Sequence, residues 1–166
     1  MKLLVTGGAG CIGSNVVHYT LSHRPEYDIT VIDKMTYAGN LGNLSSVQDK
    51  ITFVEGDICD AELMDRLVGE TDIVVHFAAE SHNDNSIRNP RPFLDTNIVG
   101  TYTILEAVRK HDKRLHHIST DECLATLSSM TQIDLPKKHH TIPLVLTPPP
   151  RQGPTTWFGR GCAHSD

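Results

Sequence analysis

Short apolar runs alternate with longer stretches of mixed polarity through the first 122 residues. Lys2–Thr6 is apolar at consecutive positions and runs into glycines, which predicts a strand buried on both faces. Ile12–Ser22 follows as a helix, with Ile12, Val16, Val17 and Leu21 at helical spacing and Pro25 as its stop. Ile29–Asp33 and Ile51–Glu55 predict a second and a third strand. Asp60 is placed to cap a helix over Ala61–Val68, with Glu62 in its first turn. Asp72–Phe77 predicts a fourth strand through the triplet Ile73-Val74-Val75. A long helix is expected from about Phe93 to Lys110, on Ile98, Tyr102, Leu105 and Val108, before a fifth strand over Leu115–Ser119. Strands alternating with helices in this way imply an α/β fold, a doubly wound parallel sheet covered on both faces.

Composition changes this picture at one point. The 166 residues carry a net charge of −5, too mildly acidic for nucleic acid as the main partner, and no apolar run approaches the ~20 residues of a membrane span. Residues 1–122 hold 18 acids against 11 bases, a balance of −7, whereas residues 123–166 hold two acids against four bases, a balance of +2. That second stretch also takes six of the nine prolines, including Pro148-Pro149-Pro150, and predicts an irregular, low-order tail. The domain boundary is therefore expected at residue 122. Cys11, Cys59, Cys123 and Cys162 show no CxxC spacing, and Lys2 is followed by no signal-peptide apolar core; both point to the cytoplasm. His116-His117 and His139-His140 lack partners at ligand spacing, so no metal site is expected.

The candidate chemistry begins where the first strand ends. Thr6-Gly7-Gly8-Ala9-Gly10-Cys11-Ile12-Gly13 places Gly7, Gly10 and Gly13 in a G-x-x-G-x-x-G turn between strand and helix. Such a turn needs glycine to bend tightly, to bring backbone close to a pyrophosphate and to pack helix against strand. The helix N-terminus then offers free N–H groups and partial positive charge to the phosphates. Asp33 ends the second strand, 20 residues after Gly13, where an acid would bind the ribose hydroxyls of NAD. An acid there disfavours the 2′-phosphate of NADP, and the adjacent Lys34 softens that preference. The fold expected is thus Rossmann-type.

Further segments stand in order along the same stretch: TGGAGCIGSN from Thr6, DKMTYAGN from Asp33, GDICD from Gly56, HFAAESHNDNS from His76, TNIVGTYTILE from Thr96 and HISTDE from His117. Together they resemble the N-terminal part of the dTDP-glucose 4,6-dehydratases, extended short-chain dehydrogenase/reductases that act on sugar nucleotides. The resemblance covers residues 1 to 122 almost continuously. It implies a tightly bound NAD that serves as an internal hydride shuttle. Hydride leaves sugar C4, water is eliminated across C5–C6, and the hydride returns to C6. It also implies dTDP-glucose as substrate and a homodimer as the working assembly.

Carried over to this chain, the resemblance places Gly7, Gly10 and Gly13 at the pyrophosphate, Asp33 at the adenosine ribose, and Asp57 and Ile58 at the adenine, with Cys11, Ile12 and Lys34 also among the cofactor-binding residues. Ala78, Ala79 and Ser81 would line the nicotinamide side. Thr120 would hydrogen-bond near the sugar C4 oxygen, with Asp121 as acid toward the C6 hydroxyl and Glu122 as base toward the C5 proton. Elimination needs one carboxyl protonated and one ionised, and two neighbouring carboxyls in a partly dry pocket push their pKa values apart. Cys11 stands where the family usually has an aromatic residue, and reads as a small packed side chain.

One part of the family's chemistry is missing from the printed sequence. Dehydrogenases of this class use a Tyr-x-x-x-Lys pair on one helix, whose i, i+4 spacing lets the lysine lower the tyrosine pKa. No tyrosine follows Glu122; the four are Tyr19, Tyr27, Tyr37 and Tyr102. Reading the tail one nucleotide out of frame supplies the pair. A Leu146 codon ending in T, followed by the AC of Thr147, gives TAC for tyrosine. Continuing through Pro148, Pro149, Pro150 and Arg151 can give Ser-Ala-Thr-Lys. The expectation is a one-base shift at or just after codon 122, leaving an out-of-frame tail, no sugar-nucleotide domain, an impaired dimer and an inactive chain. Two alternatives stand beside it: a nonenzymatic NAD-binding fragment, or a sugar-nucleotide epimerase or dehydratase of the same superfamily. An epimerase has no elimination and no need of the Asp121-Glu122 pair.

Overall fold

A computed structural model describes residues 1–119 and the backbone of residues 144–146. The chain runs β1 (Lys2–Thr6), α1 (Cys11–His23), β2 (Asp28–Asp33), β3 (Ile51–Glu55), α2 (Ala61–Gly69), β4 (Ile73–His76), α3 (Asn83–Arg88), α4 (Arg91–Phe93), α5 (Thr101–His111), β5 (Arg114–His117) and β6 (Leu144–Leu146). The sheet order is β3-β2-β1-β4-β5-β6. The first five strands pair in parallel, with Thr6 opposite both Ile32 and His76. Strand order reverses between β1 and β4, and this opens a crevice at their carboxyl ends.

The period of two along each strand divides the core into two layers. Leu4, Ile32, Val74 and Leu115 point to one face, where Met64, Leu67 and Val68 of α2 and Ile104, Ala107 and Val108 of α5 cover them. Leu3, Val5, Ile29 and Val31 point to the other, against Val17 of α1 and against Leu44 and Val47. Strands buried on both faces explain why the sequence reads as continuous apolar runs rather than as alternation. Asp60 caps α2 as expected, its Oδ1 accepting from the backbone N–H groups of Glu62 and Leu63 at 3.1 and 3.0 Å.

Several expectations need correction. Ile12 does not join the buried face of α1: it is 67% exposed, and Gly13, Ser14 and Val17 form that face instead. The expected single helix over 93–110 is α4, a π-helical segment over Leu94–Gly100, and α5. Ile98 and Tyr102, placed on its apolar face, are both 61% exposed. The wider π turn breaks the 3.6-residue period between Ile98 and α5, and the buried face of α5 runs through Thr103, Ile104, Ala107 and Val108, which leaves Tyr102 outside it. Leu144–Leu146 pairs antiparallel with β5. These three consecutive apolar residues supply backbone partners to an otherwise open sheet edge.

Candidate functional site

The glycine turn lies at the carboxyl end of β1, beside the exit of β4. Gly7 has φ +69°, and its N–H donates to the Ile32 carbonyl at 2.8 Å. A Cβ on Gly7 would lie 2.7 Å from the Ala78 nitrogen and 2.8 Å from its Cα, so only glycine lets the turn pass against the β4 loop. A Cβ on Gly13 would run into the Gly7 carbonyl oxygen and lie 2.8 Å from Gly8 Cα. Gly13 is thus the close helix–turn contact. Gly10 is the N-cap of α1 and brings no side-chain cap, and no acid sits in the first turn. The N–H groups at the start of this 13-residue helix therefore keep their capacity for an anion.

Asp33 ties this turn to the end of β2. Its Oδ2 accepts from Ala9 N at 3.0 Å and its Oδ1 from Met35 N at 2.9 Å. Met35 takes φ 54°, a left-handed conformation that turns the chain back across the sheet edge. The segment 34–40 then folds over the turn, with Asn40 N donating to the Ala9 carbonyl at 3.1 Å. Lys34 leaves Asp33 and pairs with Asp57 at 2.6 Å. The Asp57 hydrogen bond raises the Lys34 pKa against the opposing effect of burial. Burial pushes the Asp57 carboxyl upward, but Lys34 and the Cys59 N–H outweigh it and hold it below the usual carboxylate range. Beside them, burial and the Asp57 carboxylate push the Cys59 thiol up to about 11.

The opposite wall begins at β4. His76 is 1% exposed, with Nδ1 2.7 Å from Thr6 Oγ1 and Nε2 3.1 Å from Thr101 Oγ1. Thr6 Oγ1 also accepts from Ala78 N at 3.3 Å. Neutral His76 bridges the two threonine hydroxyls, donating from one ring nitrogen and accepting at the other. Burial and neighbouring His117, whose ring centroid lies 4.9 Å away, push His76 down to about 3. After Ala79 the chain is clamped by Asn97, whose side chain accepts from Glu80 N and donates to the Glu80 carbonyl, both at 2.8 Å.

These walls line a groove of about 120 Å³ along the carboxyl ends of the strands. Of the expected cofactor residues, Gly7, Gly10, Asp33, Lys34, Asp57, Ile58, Ala78 and Ala79 line it. Gly13 supports it from behind. Cys11, Ile12 and Ser81 are exposed and outside the lining. Cys11 is therefore not the packed residue expected, since the first turn of α1 projects it away from the core. Thr36, Gly39, Glu80 and Thr96 line the groove without having been singled out, although they fall inside the motifs that begin at Asp33, His76 and Thr96. Thr120, Asp121 and Glu122, the boundary at 122, and His139-His140 lie outside the described residues.

Comparison with known proteins agrees with this geometry. Residues 4–135 match the GDP-mannose 4,6 dehydratase family. The chain belongs to that family. It is 60% identical to the dTDP-glucose 4,6-dehydratase of Mycobacterium tuberculosis over 127 residues, which is 76% of this chain and 38% of that protein. Among solved structures, the Bacillus anthracis dTDP-glucose 4,6-dehydratase in complex with NAD is 45% identical, with a TM-score of 0.66 over 74% of this chain and 38% of that one. The Streptomyces venezuelae enzyme with NAD and TYD bound is 46% identical, with a TM-score of 0.69 over 74% and 40%. The chain thus spans well under half the length of the relatives it matches. Among the described residues no helix is long and apolar enough to cross a membrane.

Proposed function

We propose that residues 1–122 are the NAD-binding part of a dTDP-glucose 4,6-dehydratase, and that the chain as printed binds NAD without turning over dTDP-glucose. The observation that carries the cofactor assignment is the cradle at the β1/β4 crevice. Gly7 and Gly13 occupy positions a Cβ would fill, and Asp33 is fixed beside the open N-terminus of α1. In this reading the first turn of α1 binds the pyrophosphate, Asp33 the adenosine ribose, and Asp57 and Ile58 the adenine edge. Ala78 and Ala79 face the nicotinamide. When bound, NAD supplies the hydride acceptor. In the family's complete reaction Thr120 would orient the sugar C4 oxygen, and Asp121 and Glu122 would serve as acid and base in the elimination.

The absence of tyrosine after Glu122 supports the lack of turnover, because no side chain of the required kind is left to take the C4 hydroxyl proton. The charge reversal after residue 122 and the Tyr-x-x-x-Lys recovered one nucleotide out of frame support a shifted reading frame there. The same reading puts the protein in the cytoplasm and leaves the family's homodimer impaired. Two measurements test it. Titration calorimetry with NAD⁺ is expected to show binding, and an assay for the 4-keto-6-deoxy product is expected to show none. Turnover approaching that of a full-length relative, or an unshifted frame in the source DNA across codon 122, would refute the inactive, frame-shifted part.

A further inference from the structure

Three acids and one base line the described part of the groove: Asp33, Asp57, Glu80 and Lys34. Lys34 follows Asp33 directly, so on sequence alone its ammonium is available to a phosphate on the adenosine ribose. In the fold it is committed elsewhere, with Nζ 2.6 Å from Asp57 Oδ2. Asp57 is itself held, because its Oδ1 accepts from Cys59 N at 2.9 Å. The Asp57 side chain is 32% exposed and that of Lys34 56%, so the pair lies at the groove mouth and not in the core. Two consequences follow for a dianionic 2′-phosphate. Lys34, the single lining cation among the described residues, is already neutralised by Asp57, and Asp33 remains to repel the phosphate.

We propose that the Lys34–Asp57 ion pair is a specificity device, in which Asp57 withholds Lys34 from a ribose 2′-phosphate and so reinforces the preference for NAD⁺ over NADP⁺. The inference rests on the cofactor reading above and assigns Asp57 a role beyond adenine contact. It also explains how a lysine can follow the ribose acid without relaxing coenzyme choice. A neutral amide at position 57 keeps the oxygen that receives Cys59 N while releasing Lys34. Asp57→Asn is therefore a mild structural change with a large electrostatic one.

The test is equilibrium binding of NAD⁺ and NADP⁺ to the full chain, read as the ratio of the two dissociation constants. Wild type is expected to favour NAD⁺. In Asp57→Asn the ratio is expected to move toward NADP⁺ by about tenfold, the effect of one unit charge near a dianion in a solvated groove. In the double variant Lys34→Gln/Asp57→Asn most of that gain is expected to disappear, because released lysine produces it. An unchanged ratio in Asp57→Asn, with NAD⁺ still bound, overturns this inference and leaves the cofactor reading intact. So does a double variant that keeps the whole gain. Failure of wild type to bind either dinucleotide overturns the cofactor reading, and this inference with it.

Discussion

His76 should make the fold acid-sensitive well above the range in which its carboxylates titrate. The ring is 1% exposed, and its pKa falls from 6.5 to about 3 through burial and the neighbouring His117. Below pH 6.5 the unfolded chain takes up a proton that the folded chain refuses. Stability is therefore full above pH 6.5 and declines as pH falls toward 3. Integrated from pH 7 to pH 5, this one group removes about 2 kcal/mol, at up to ~1.4 kcal/mol per pH unit. Asp57 and Asp65, both shifted below their usual range, contribute only at lower pH. The lowered pKa of His117 acts in the same direction as His76. Urea unfolding followed by circular dichroism at pH 7 and pH 5 measures the loss, with His76→Gln as reference. The variant cannot take up the proton, so it is expected to be less stable at pH 7 and to lose about 2 kcal/mol less on acidification. Equal losses in both proteins, or a native ring titrating near 6.5, would refute the argument.

Two further substitutions test the groove. Gly13→Ala forces a methyl into the Gly7 carbonyl and is expected to cost ~1–3 kcal/mol, with at least about tenfold weaker NAD⁺ binding. Gly10→Ala, whose Cβ meets nothing closer than 3.3 Å, is the control, and thermal unfolding of the two should separate them. Asn97→Ala removes both hydrogen bonds to Glu80 and is expected to cost ~1–2 kcal/mol. It should also speed exchange of the Glu80 amide hydrogen, and unchanged exchange would show that Asn97 is not the clamp.

Strands were the most legible part of the sequence because the central ones, β1, β2 and β4, are covered on both faces. Consecutive residues such as Ile73, Val74 and Val75 must all be apolar, and no other element of 4–6 residues demands that. Helix positions were legible but helix faces less so. Spacing says which residues can share a side, whereas the sheet decides which side is covered. Thus Ile12 stays in solvent while Gly13, Ser14 and Val17 form the buried face of α1, Ile98 is exposed within the π segment, and Tyr102 lies off the buried face of α5. In the groove, Gly7, Gly13 and Asp33 were readable because each satisfies a backbone demand fixed by the strand–turn–helix unit. The strap over 34–40 was not, since its path depends on a left-handed Met35 and on bonds from Asp33 and Ala9. The Lys34–Asp57 pair was hidden for the same reason, because it joins the ends of two strands that are neighbours only in the sheet.

The order of these pieces along the chain bears on function. Every described wall of the groove comes from loops at the ends of β1 to β4 and from the helical segment that follows, and each is fixed by partners within residues 1–119. The proposed acid, base and C4-orienting threonine come later, beyond β5. A dinucleotide would thus meet a surface whose geometry depends on Thr6, Asp33, His76 and Asn97, each of which has hydrogen-bond partners among residues 1–119. Chemistry would need those later residues in full. Cofactor affinity and turnover are therefore separable in this chain. A sequence change confined to positions after 122 should abolish the second while leaving much of the first, provided the open edge beyond β4 and β5 stays covered.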